Sequence, residues 1–361
     1  METNKISSSS KNRFADYFVI CGLDLNSGLE PDTVAGDNLQ SSPLERPYKC
    51  KVLGHYPDNV SWNPFDKDAV GMLCLPHGLQ FRTQKHPLEP KFHSFVITRQ
   101  DGKRHYGASY VFFEEVRNRK IASAMQTLQA MHLTELSSGQ KAARRRSVLD
   151  HNTRSLPRHF KLTTHHARTA MNYYDHTKDT LHVTKSIALV LQWPFIHAAE
   201  AFLAGLYRCW KEQGPVSLES HIYQLLYEVT VPGPSRSLEF LCYPDCLTLL
   251  QRPSAIEELP LCDYSLREMF SLLGVDCVLQ LFTCLLLENQ ILLCSSEYQR
   301  LMLVAECMTC LLFPFSWPHV YVPILPASLH HFLDAPVPFV MGLHSRENKI
   351  NIPSEANLCY V

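Results

Sequence analysis

The sequence predicts an α+β chain of two modules: an antiparallel sheet with helices, then an alternating α/β unit. Three observations predict it. The turn Asp101-Gly102 separates two strand-like runs in the first third, a strong short-range hairpin signal. The uninterrupted apolar run Ile291-Leu-Leu-Cys294 has the character of a strand buried on both faces. Strand-like and helix-like periods then alternate through the second half, which is the pattern of a layered α/β unit. The chain has 361 residues, more than one hydrophobic core usually organises. Its 45% hydrophobic and 19% charged residues are globular composition.

Residues 1–13 read as disordered. Asp16 to Gly22 is a β-rich run closed by glycine, and Asn26 to about Arg46 is a polar surface loop. Ala69 to Leu75 is expected as a second strand, ended by Pro76-His-Gly78. Phe92–Arg99 and Arg104–Phe113 form the hairpin, with Tyr106, Ala108, Tyr110 and Phe112 on one face. From Glu114 to about Leu133 the period lengthens, and Val116, Ile121, Ala124, Met125, Leu128 and Met131 fit a helical stripe. These elements make a first module over 14–134. Residues 135–180 have weak periodicity and read as a basic flexible linker. The second module, 181–361, opens with a strand over Thr184–Leu191. Helices follow over Phe195–Lys211, Leu218–Val229, Ser265–Leu273 and Val275–Leu287, the last apolar nearly all round and therefore expected deep in the domain. After Ile291–Cys294 comes a further helix, Tyr298 to Leu312.

The net charge is −1, so no global field draws the protein to nucleic acid. One segment departs from that average. Lys141 to Arg168 holds eight basic residues against the single acid Asp150, a local charge of +7. Within it, Arg144-Arg145-Arg146-Ser147 has three readings: a solvated loop, a basophilic-kinase target at Ser147, or a patch for acidic lipid or a partner's acidic surface. The thirteen cysteines are scattered singly through apolar runs, as buried thiols in a reducing compartment are. The first dozen residues lack the apolar segment of a signal peptide. The uncharged stretch Cys307–Leu333 is interrupted by Pro314, Pro318, Pro323 and Pro326, which argues against a membrane span. A soluble, cytoplasmic protein is expected.

Bond chemistry finds no foothold. Cys307-Met-Thr-Cys310 lies in an apolar helix with no second pair at zinc spacing. His165-His166 and His330-His331 are adjacent pairs, whose side chains diverge on a helix or strand. No GxSxG, GxxxxGK[ST] or GxGxxG occurs, and Ser137-Ser-Gly-Gln-Lys141 follows no strand. The sequence predicts no catalytic residue, metal or cofactor.

The most distinctive segments are Ile291-Leu-Leu-Cys-Ser-Ser296, Arg300-Leu301, Leu312-Phe-Pro-Phe-Ser-Trp317, Val320-Tyr-Val-Pro-Ile-Leu-Pro326 and Asp334-Ala-Pro-Val-Pro-Phe-Val-Met-Gly342. In that order they resemble the central module of the DENN family, and Phe14 to Asp24 is similar to the family's opening strand. Asn63-Pro-Phe-Asp66, Asp179–Lys185 and Arg252-Pro-Ser254 resemble the branch that also carries RUN and PLAT domains. The resemblance implies a longin-like first module and an α/β central DENN module, truncated at its C-terminus, with a Rab-type small GTPase held between them. It implies guanine-nucleotide exchange in vesicle traffic, cytoplasmic with recruitment to Golgi or endosomal membranes. The basic linker lies outside the resemblance, and its charge alone gives the expectation of peripheral contact with acidic membrane. The chain stops at Asn357-Leu-Cys-Tyr-Val361, within an apparent strand and ahead of the family's downstream portion. A Rab-binding adaptor without exchange activity is therefore the alternative.

Candidate GTPase-binding residues are Tyr298, Gln299 and Arg300 after the buried strand, where α/β loops carry function, and Tyr321, Asp334, Phe339 and His344 in the proline-rich passages. Arg144, Arg145, Arg146 and Ser147 are the candidate regulatory patch. Trp62, Phe65, Phe315 and Trp317 are expected in the core or at turns.

Overall fold

The computed structural model describes residues 12–32, 41–99, 101–147, 173–213, 217–242, 246–254, 259–344, 354 and 356–361, with backbone alone over 136–147. Strand β1 (Ala15–Gly22) opens an antiparallel sheet with β2 (Lys51–Tyr56), β3 (Phe81–Thr83), β4 (Lys91–Thr98), β5 (Arg104–Glu115) and β6 (Leu181–Leu191). The order is β2-β1-β6-β5-β4, with β3 also paired to β6. β4 and β5 form the expected hairpin, with Thr98 opposite Arg104. Gly102 takes φ +79° in its turn, a conformation glycine adopts without steric cost.

β6 is the middle of this sheet, between β1 and β5. Residues 181–191, placed by the sequence at the head of the second module, therefore belong spatially to the first. Side-chain alternation explains how one sheet serves two cores. Tyr17, Val19, Ala188 and Val190 point to one face, and Phe18, Ile187, Leu189 and Leu191 to the other. Helix α3 (Ile196–Glu212) and helix α4 (Leu218–Tyr227) cover the second face, with a two-stranded ribbon of β7 (Ser237–Cys242) and β8 (Cys246–Gln251) that sequence reasoning did not foresee.

Two expectations in the first module are corrected. Lys67–Cys74 is a helix, α1, where Ala69–Leu75 was expected as a strand. The Asp66 side chain accepts a hydrogen bond from the Ala69 amide at 3.0 Å and caps the helix, and Val70, Leu73 and Cys74 bury one side. A short apolar run without alternation fits either state, and the cap decided it. Helix α2 then spans Arg119–Ser147, so the first part of the expected linker is helical. Residues 148–172 lie outside the described residues. From 173 onward the chain is tied back, with the Tyr174 amide on Gln129 Oε1 at 3.1 Å.

The second module is a parallel sheet in the order β10-β11-β9-β12, from β9 (Ile291–Ser295), β10 (Val320–Val322), β11 (Phe339–His344) and β12 (Asn357–Tyr360). β9, fully buried, lies inside the sheet as its apolar run required. Helix α6 (Tyr298–Leu311) crosses from β9 to β10, and a 3₁₀ segment, Ala327–Asp334, precedes β11. α6 packs on β4 of the first sheet, so Phe95 and Val96 share one core with Leu301, Met302 and Ala305.

Helix α5 (Leu266–Leu286) departs from expectation. Its second half was expected deep, yet only Met269, Val278, Leu281 and Leu285 are buried, while Val275 is 60% and Leu279 58% exposed. By length and composition alone it could cross a membrane. Ser265 caps it, and Gly274 (φ 75°, ψ 163°) breaks it. Phe315, expected in the core or at a turn, is 70% exposed. Trp317 is buried, and its indole donates to the Val320 carbonyl at 3.1 Å.

Candidate functional site

β9 and β11 end side by side, with His344 opposite Ser295, and α6 starts three residues later. In parallel sheets the crevice beyond the carboxyl ends of the strands is where ligands and partners are met. Here the first module closes that crevice from the other side, through the turn after α1 and through β3, β4 and β5. The result is a cleft of about 430 Å³. Arg82 and Lys91 balance Glu89 and Glu297 along its lining, so it carries no strong field.

Its floor is a cluster of rings from both modules. Tyr298 lies 4.7 Å from His344, 5.2 Å from His93 and 5.7 Å from His77, centroid to centroid, and His77 meets His344 edge-on at 4.8 Å. His93 is fixed by a 2.9 Å hydrogen bond from Nε2 to the Leu73 carbonyl. Burial pushes its pKa down to about 4, against the opposing pull of that hydrogen bond, so the ring is neutral at pH 7. His77 is held by the tight turn at Gly78, whose φ is +68°. A Cβ on Gly78 would stand 2.6 Å from the Tyr48 carbonyl oxygen, inside contact distance.

The structure therefore brings Tyr298, Gln299 and His344 together at the cleft. Arg300 faces outward, 3.2 Å from the Glu297 carboxylate in an exposed pair. Asp334 is exposed at the end of the 3₁₀ segment, away from the cleft lining. Tyr321 and Phe339 are buried and offer no surface to a docking partner. Arg144, Arg145, Arg146 and Ser147 end α2, and their side chains lie outside the described residues.

Tyr321 has a different task. Its hydroxyl donates to Glu306 Oε1 at 2.5 Å, and the Arg104 guanidinium lies 3.9 Å over its ring. Burial holds the Glu306 carboxyl above the usual range, while Tyr321, Arg104 and Tyr106 pull it back. Arg104 and Tyr106 come from β5, Glu306 from α6 and Tyr321 from β10, so this buried network fastens the modules together. Ser94 and Tyr264 make a second cross-module hydrogen bond. His77, His93, Arg104 and Glu306 escaped sequence reasoning. The Pro76-His-Gly78 turn was the one available signal, and nothing local marks the others.

Asn63-Pro-Phe-Asp66 has a structural task as well. The buried Asp16 carboxylate accepts from Trp62 Nε1 and from Asn63 Nδ2, each at 2.9 Å. Arg99 donates to Asn63 Oδ1 at 2.7 Å, and Phe65 stacks on His55 at 3.9 Å. Phe14–Asp24 and Asn63–Asp66, far apart in sequence, thus form one knot at the end of β1.

Two family profiles match this chain: the DENN (AEX-3) domain over residues 182–361 and the uDENN domain over residues 50–112. The chain belongs to the DENN family. It is 27% identical over 348 residues to the DENN domain and WD repeat-containing protein SCD1 of Arabidopsis thaliana, a match covering 94% of this chain and 24% of that protein. The chain thus spans about a quarter of that relative's length. DENN domains generally bind Rab GTPases and act as exchange modules, regulators rather than catalysts of bond changes.

Proposed function

We propose that this chain is a guanine-nucleotide exchange module for a Rab-type small GTPase, working in membrane traffic at Golgi or endosomal membranes. The observation that carries the reading is the pair of family matches falling on both modules that wall the cleft. Asn63–Asp66 and Arg252–Ser254 further support the branch that carries RUN and PLAT domains.

An exchange factor needs no nucleophile. A GTPase holds its nucleotide through phosphate-loop amides, Mg²⁺ and two switch segments. Linkage requires that a protein binding the empty GTPase more tightly than the loaded one weakens nucleotide by the same factor. The switch segments would contact Tyr298, Gln299 and His344, with Arg300 and Asp334 at the periphery. Tyrosine and arginine are common interface anchors. The basic end of α2 would meet acidic lipid, and phosphate at Ser147 would cancel up to about two units of its charge.

Release of a fluorescent guanine nucleotide from a panel of Rab proteins tests the proposal. Acceleration of one member by at least about tenfold, a lowering of the release barrier by about 1.4 kcal/mol, is the expected result. Capture of a Rab without acceleration would make the chain an adaptor instead.

A further inference from the structure

All thirteen cysteines are free thiols. Two groups of thiols meet inside the core, Cys21 with Cys50 and Cys74, and Cys262 with Cys307 and Cys310; Cys277 and Cys359 form a third contact, at the outer strand of the parallel sheet. Their sulfurs are 3.9 Å from one another, although 82 residues separate them. Cys277 is half-buried on α5, and Cys359 is buried on β12, whose one partner among the described residues is β9.

Alternation along the strands makes the pairing specific. Cys359 lies opposite Leu293, and both belong to the core cluster that α5 covers. Cys294, the next cysteine in the sheet, belongs to the cluster on the opposite face. It therefore does not compete for Cys277. A disulfide needs sulfurs at about 2.05 Å, so the two chains must close by roughly 1.9 Å. Both have freedom to do so. β12 is a four-residue edge strand, and α5 is broken at Gly274, three residues before Cys277.

We infer that Cys277 and Cys359 form an oxidation site, at which hydrogen peroxide converts the thiol pair into a disulfide that fastens α5 to the outer strand of the parallel sheet. The more accessible Cys277 reacts first. Its thiolate attacks the peroxide, the O–O bond breaks, water leaves and a sulfenic acid remains on Cys277. The Cys359 sulfur then displaces the sulfenic hydroxyl, which departs as water with the Cys359 proton. Two electrons pass from the two thiols to one peroxide, and two waters result. Burial, with the neighbouring Cys277 thiol, pushes Cys359 up to about 12, which suits it to wait as the protonated resolving partner. This site is independent of the GTPase reading.

The test treats the full chain with stoichiometric hydrogen peroxide, blocks remaining thiols, digests without reductant and maps the peptides by mass spectrometry. The expected product joins the Cys277 and Cys359 peptides with loss of two hydrogens, and dithiothreitol separates them. Oxidation should also raise the melting temperature of the wild-type chain, and Cys277→Ser and Cys359→Ser should each abolish that rise. If the exposed Cys246 is oxidised while Cys359 is recovered fully alkylated, the inference is overturned. The peptide map uses the wild-type chain, so it stands whether or not either variant folds.

Discussion

Glu306 is a carboxylate enclosed by hydrophobic residues, which ordinarily costs several kcal/mol unless partners surround it. Tyr321 and Arg104 supply them, and that makes Tyr321 a residue of the module junction. Tyr321→Phe leaves Glu306 buried with one donor fewer and should cost about 1–3 kcal/mol. A urea titration would register this as a lower midpoint at unchanged slope, and a loss below about 0.5 kcal/mol would contradict the role. His93 gives a pH signature. Its folded pKa, about 4, lies below the ordinary 6.5, so the unfolded chain binds the proton more readily. Stability from this group is complete above about pH 6.5 and is lost as pH falls toward 4, with a magnitude on the order of 3 kcal/mol. Glu306 works in the opposite sense. Its folded pKa is raised, so its contribution is present in acid and fades as pH rises through that value. In His93→Gln the amide can still donate to Leu73 but cannot titrate. The loss between pH 6.5 and 4 should shrink, measured by denaturation at each pH.

Among the elements, the turn after α1 positions one wall of the cleft. Gly78→Ala would add left-handed strain and a contact with the Tyr48 carbonyl oxygen. A destabilisation of about 2 kcal/mol or more is expected from chemical denaturation. Elements with a strong local signature were legible in the sequence. Asp101-Gly102 gave the hairpin, and Ile291–Cys294 gave a central strand that the parallel sheet confirms. Tyr298, Gln299 and His344 could be nominated as candidates because each lies in or beside a motif of the second module. α1 was misread because seven apolar residues in a row carry no period. α5 was misplaced because an all-round apolar helix reads as buried, and the sequence does not record what covers it. The ring cluster and the Glu306 network were illegible for another reason. They assemble from residues more than a hundred positions apart, and His93 or Glu306 alone looks like any polar residue in an apolar run.

At the scale of the molecule, the two modules share a core in which Phe95 and Val96 meet α6, and they share the buried link between Arg104, Tyr321 and Glu306. Such a pair should unfold together, so circular dichroism and tryptophan fluorescence should trace one coincident transition; two separated transitions would show the modules to be independent. A rigid pair gives the cleft a fixed shape, and a fixed shape is what selecting one conformation of a GTPase requires. The most direct test of the central claim is the affinity of this chain for one Rab in its nucleotide-free and GDP-loaded forms, measured side by side. The account predicts tighter binding to the empty form by at least about tenfold, with the preference reduced in Tyr298→Ala and His344→Ala. Equal affinity for the two forms, across every Rab tested, would contradict it.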